Sequence, residues 1–196
     1  MEFGPNGTVA QPGGGATYET NAAQPIQRVR LAIFLCGLVA CLAVAAAGFL
    51  GLLSLGLYEG LFGAGAVRSG ETPFLSGVMI AFGMGALNWF MGYITIPAAW
   101  FAIGFSIGRF PRRRITRPAP YYRWGAIWGA ALVCLVTGPL SFALSSTNSA
   151  ERSLTAMGGL AGGFVVGAAA GLVCAALFRL IVRPAEQIRE IATDVF

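Results

Sequence analysis

Histidine and lysine are both missing from this chain of 196 residues. Acids are few as well: eight Asp and Glu stand against thirteen basic residues, every one of them Arg. The lack of His removes the commonest metal ligand, the usual haem ligand and the commonest general base together. The lack of Lys excludes a Ser–Lys nucleophile and a Walker lysine, and the Gly-rich stretches carry no G-K-[ST]. Cysteine is scarce and scattered. Cys36, Cys41, Cys134 and Cys174 all lie inside apolar runs with no C-x-x-C spacing, where thiols act as small apolar residues, so neither a disulfide framework nor a zinc site is indicated. No paired carboxylates occur in or near the apolar runs. The expectation is a chain that is not an enzyme and has no metal and no cofactor of its own, with room for a bound lipid.

What is abundant is apolar sequence. Hydrophobic residues make up 56% and charged residues 11%, with mean hydropathy +0.71, values that belong to integral membrane proteins. The predicted fold class is all-α, with four transmembrane helices. The stretch RFPRRRITRPAPYYR, Arg109 to Arg123, holds six Arg and no acid and divides the sequence into two apolar halves. Under the positive-inside rule it faces the cytoplasm. Both termini then fall inside, with eleven Arg on that side and only Arg68 and Arg152 outside. A basic balance of this kind serves topology and lipid headgroups, and nucleic acid is not an expected partner. Arg109, Arg112, Arg113, Arg114, Arg117 and Arg123 are the candidate contacts for anionic lipid or a partner.

In chain order, residues 1–27 are rich in Gly, Pro, Ala, Thr and Gln and are expected as a flexible cytoplasmic tail, since they hold too little apolar surface to offset ordering. The four-helix membrane domain covers 28–183. Its first span runs about 31–57, closed by Tyr58 and Glu59. Glu59 is the carboxylate nearest a span, yet it stands about 43 Å beyond Arg30 at 1.5 Å per residue, past the hydrocarbon layer, and reads as interfacial. After a short outer loop, Thr72-Pro73 forms a helix start. The second span covers about 74–108, too long for one straight crossing, with a kink expected at Pro97. Tyr121, Tyr122 and Trp124 form an aromatic belt before the third span, 124–144. Ser145 to Ser153 is expected as a polar outer turn, followed by the fourth span, 154–182. Residues 184–196 form a short amphipathic C-terminal helix for the interface or a partner.

Two small-residue stripes govern the expected packing. Gly77, Ala81, Gly85, Asn88 and Gly92 share one face of the second span, where Asn88 is placed to hydrogen-bond across a helix contact. Gly159, Gly163, Gly167, Gly171 and Ala175 form an unbroken ladder at i+4 on the fourth span, widened by Gly158 and Gly162. The second and fourth spans run parallel, so these stripes predict a face-to-face crossing with Gly85 level with Gly163. The other use of the ladder is docking on another chain. Aligning Arg30 with Arg123 sets Cys41 over Cys134, but the second spans fall out of step, which weakens a transporter built from repeats.

Three functions fit these features. The first is an accessory or scaffold subunit of a larger bacterial inner-membrane complex, with other integral membrane subunits and anionic lipids as partners. The second is a small transporter or channel component with a path lined by Asn88, the Pro97 kink and Glu59, although no ionisable residue stands at mid-depth. The third is a lipid-organising or membrane-shaping protein resting on the Arg loop and the amphipathic tail. The first is favoured, because every feature found is a contact feature.

Overall fold

Four apolar spans running alternately up and down make up a computed structural model that describes residues 28–62, 72–111, 115, 117–145 and 148–183. The first span is α1 (Val29–Phe62). The second is built from α2 (Pro73–Ala86), a 3₁₀ turn (Leu87–Met91), α3 (Gly92–Phe105) and a second 3₁₀ turn (Ile107–Arg109). The third is α4 (Pro118–Leu144) and the fourth α5 (Ser149–Val182). No strand occurs among the described residues. All four spans are long and apolar enough to cross a membrane, so this is a multi-pass membrane protein. The N-terminal tail, most of the loop after α1, and the expected amphipathic segment 184–196 lie outside the described residues.

Helix starts follow local chemistry. Arg117 is extended (φ −61°, ψ 137°) because a following proline disfavours helical backbone. Pro118 then opens α4, six residues before the Trp124 expected as its start. α5 begins at Ser149, well ahead of Leu154. Asn148 caps it, accepting from the Ala150 N–H at 3.3 Å while its amide nitrogen lies 3.5 Å from Glu151 Oε1. The polar run expected as an outer turn is therefore largely the first turn of this helix.

Along most of the bundle small residues face inward and large ones outward, with Tyr121 and Phe178 as buried exceptions at the arginine-rich end. Leu31, Phe34, Leu42, Phe49, Leu50 and Leu57 of α1 are exposed, as are Leu135 of α4 and Phe164 and Leu180 of α5. In lipid this costs nothing, since association there rests on close packing and hydrogen bonds rather than on removing apolar surface from water. The tightest packing is antiparallel α4 on α5. Tyr121, Gly125, Gly129, Thr137 and Ser141 lie along one i+4 ridge of α4. Gly125 backs onto Gly171 and Gly129 onto Gly167, each glycine facing the other's carbonyl, while Thr137 and Ser141 fill the space beside Gly163 and Gly159.

This pairing corrects the expected use of the ladder. Gly159, Gly163, Gly167 and Gly171 are all buried, and they face the third span far more than the second. The second and fourth spans do pack, but through the neighbouring row. Gly158 faces the Phe74 carbonyl, Gly162 faces Ala81 and Val78, and Gly77 faces Thr155. Gly85 and Gly163 do not oppose each other. Gly85 meets Gly48 of α1 and Val166, and Gly163 meets Thr137 and Cys134. A rotation of about 100° per residue explains the outcome, because adjacent residues on a helix lie on different faces. The doubled glycines 158/159 and 162/163 thus serve two neighbours at once.

Candidate functional site

The second span loses its α-helical form at Leu87–Met91, upstream of Pro97, which sits inside α3. Within the turn the Gly92 N–H bonds the Trp89 carbonyl, three residues back, instead of that of Asn88. A 3₁₀ turn advances each residue by about 120° rather than about 100°, so five such residues rotate the downstream helix by roughly 100°. The stripe of small residues divides there. Gly77 and Ala81 of α2 reach α5, Gly85 lies between Val166 of α5 and Gly48 of α1, and Asn88 and Gly92 reach Cys41 of α1. Downstream, α3 packs mainly on α1 and only brushes α4. The Trp100 indole lies against Gly37, where a side chain would collide with it, and its Nε1–H donates to the Phe34 carbonyl at 3.2 Å.

Asn88 is the one buried amide at this joint. Its Nδ2 donates to the Cys41 carbonyl at 3.2 Å, and its Oδ1 accepts from Thr95 Oγ1 at 2.7 Å. The Cys41 thiol approaches the Asn88 carbonyl at 3.6 Å. Thr95 was not singled out in the sequence, although a spacing of seven puts it two turns below Asn88 on the same face. With both ends of the amide engaged and the residue 8% exposed, Asn88 acts as a clasp between the first and second spans. Its worth is bounded by the small net value of such bonds in membranes. Asn88→Leu is expected to cost about 1 kcal/mol, because Thr95 keeps the Met91 carbonyl as an acceptor. Unfolding in mixed micelles measures it, and a cost several times larger would show that the clasp carries more than a pairwise bond.

The opposite face of the same joint looks outward. Trp89, Phe90, Tyr93 and Ile94 are 57–72% exposed. The Tyr93 hydroxyl has only the Met91 sulfur, at 3.9 Å, and the Trp89 indole N–H has no acceptor among the described residues.

The remaining predicted residues gather at one end. Arg109 is exposed in the second 3₁₀ turn with its guanidinium 5.0 Å from the Phe105 ring centre. Arg117 and Arg123 are exposed at the start of α4, and Arg112, Arg113 and Arg114 lie outside the described residues. Arg28, Arg30, Arg179 and Arg183 occupy this same end. Arg179 reaches Tyr122, with Nη1 3.4 Å from the hydroxyl and the guanidinium over the ring. Glu59 is half-buried near the far end of α1 and takes no part in this cluster. Among the described residues no group of His, Cys, Asp and Glu has the geometry to hold a metal ion. The chain matches no protein-family model, no curated protein and no solved structure.

Proposed function

We propose that this chain is a non-catalytic accessory subunit of a larger bacterial inner-membrane complex. Its arginine-rich end faces the cytoplasm, and it docks on a transmembrane helix of a neighbouring subunit through the outward face of the Leu87–Met91 turn and the start of α3. The supporting observation is the position of Trp89 and Tyr93. They are 65% and 72% exposed, and at 1.5 Å per residue Trp89 stands about 25 Å from Thr72 and about 30 Å from Arg109, near mid-depth. Trp and Tyr favour the wet membrane interfaces, where the polar end of the ring is hydrated. An indole N–H or phenol O–H facing hydrocarbon goes unsatisfied at a cost of a few kcal/mol. A partner helix offering acceptors removes that cost, and large aromatics are the residues on which interfaces concentrate their energy. The ladder on α5 is occupied by α4, so the reading rests on this aromatic face and not on the ladder.

A photo-reactive phenylalanine analogue at position 93 tests the proposal in native membranes. Leu135, 73% exposed on α4, serves as the comparison. Cross-linking to one discrete protein from 93 and to lipid from 135 is expected, with the chain migrating far above its own 20.4 kDa after gentle solubilisation. Lipid adducts from both positions, with the chain migrating alone, would overturn the subunit reading.

A further inference from the structure

At the arginine-rich end a groove of about 480 Å³ opens between the start of α1 and the end of α3. Its rim carries Arg30 and Arg109, and its walls are Ile33, Trp100, Gly104 and Phe105. Three observations define its ligand. First, the two guanidiniums have no carboxylate near them among the described residues. The only acids among the described residues are Glu59 and Glu151, and both stand at the far end of the bundle. Second, the groove is held open. A side chain at Gly104 would meet nothing within 4 Å, so the wall there is bare backbone beside free space. Trp100 is fixed by its bond to the Phe34 carbonyl and by stacking on Phe34 at 5.4 Å. Third, Phe105 supports the Arg109 guanidinium from one face, leaving the N–H edges available to an anion.

We infer that this groove is a binding site for one anionic phospholipid, with the phosphodiester between Arg30 and Arg109 and an acyl chain laid along Gly104 against Ile33 and Trp100. Depth sorts the two ends of the ligand. Gly104 lies about 7 Å further into the span than Arg109 at 1.5 Å per residue, which is the headgroup-to-chain direction of a lipid. Phe101 and Phe105 beside it are 68% and 57% exposed, so the groove opens sideways into hydrocarbon, where a soluble phosphate would leave it unfilled. Paired arginines favour a phosphate without an accompanying ammonium group. Arg30, which the sequence counted among the inside arginines without singling it out as a contact, becomes half of the headgroup clamp. The site depends on the membrane-spanning reading of the four helices but not on the subunit proposal, and the two are tested by different variants.

The test uses the full chain in mild detergent, mixed with equal amounts of phosphatidylglycerol and phosphatidylcholine and examined by native mass spectrometry. The expected result is a single retained phosphatidylglycerol, preferred at least tenfold over phosphatidylcholine. That preference should be lost in Arg30→Gln/Arg109→Gln, and occupancy of either lipid should fall at least tenfold in Gly104→Leu, whose Cβ meets nothing within 4 Å and whose branched end then occupies the open wall. Arg152→Gln, at the other end, should behave as the unaltered chain. Equal retention of both lipids by the unaltered chain would overturn the proposal. So would undiminished phosphatidylglycerol binding in Gly104→Leu, which would reduce the effect to diffuse surface charge. Gly104→Ala, the milder filling, is measured in parallel and should lower occupancy in the same direction.

Discussion

Gly171→Leu is expected to leave the chain unable to reach its folded state, and Gly171→Ala to destabilise it by about 3 kcal/mol, the upper end of ordinary overpacking. The reason lies in the atoms a new Cβ would meet. At Gly171 it runs into the Gly125 carbonyl, and at Gly129 into that of Gly167. Both obstacles are backbone inside regular helices, so relief requires moving α4 away from α5 as a body. That separation loosens every contact along the ridge from Tyr121 to Ser141. Gly83→Ala is the companion measurement. Nothing lies within 4 Å of a side chain there, and the gain in helix propensity of up to about 1 kcal/mol makes it neutral or stabilising. Unfolding in mixed micelles reads both. Equal effects at 83 and 171 would mean that the α4–α5 contact does not hold the bundle together.

Phe178→Ala should be the most damaging truncation of a large side chain, at about 3 kcal/mol. Phe→Ala in a core costs roughly 3–5 kcal/mol in water. The lower figure applies here because the transfer component weakens when the alternative surroundings are lipid, leaving lost packing and the cavity. Phe178 is fully buried and stacks on Tyr121 at 6.2 Å, and Tyr121 in turn meets Phe110 edge-on at 5.2 Å. The Tyr121 hydroxyl donates to the Ile115 carbonyl at 2.7 Å, so this cluster also fastens the chain leading into α4. Faster proteolysis near residue 115 should accompany the loss of stability. Tyr121→Phe removes only the bond to Ile115 and should cost about 1 kcal/mol. If the two variants proved equal, the aromatic stack would be contributing little.

Much of this architecture is written plainly in the residues. Four spans follow from charge-free runs long enough for a bilayer, and the start at Pro73 follows from the constraints of proline at a first helical turn; the same signal stood at Pro118, but the aromatic belt drew the expected start on to Trp124. The Asn148–Glu151 pair spells a capping box, yet the polarity of its surroundings disguised it as a turn. The stripes announced close contacts without naming the partner, because a glycine advertises room and not direction. Only the doubling at 158/159 and 162/163 could have hinted at two neighbours. The break at Leu87–Met91 was hidden by the stronger signal of Pro97. A proline states its own constraint, whereas a 3₁₀ turn here depends on Asn88 finding Cys41 across a helix contact, a tertiary fact. For the same reason the lipid groove was invisible: Arg30 and Arg109 are 79 positions apart, and only folding sets them on one rim.

The turn at Leu87–Met91 also divides the second span into parts of unequal firmness. α2 is gripped from two sides by α1 and α5, while α3 rests mainly on α1. Local opening follows the density of such support. The amides of 92–105 should therefore exchange with deuterium well before those of 73–86, although both belong to one crossing of the membrane. Under load the span is expected to behave as a fixed post with a hinged second leaf. Thinning of the bilayer, or a pull at the arginine-rich end, is expected to be taken up at the Leu87–Met91 joint, with α3 still held to α1 at Trp100 and the glycine-locked pair α4–α5 staying still.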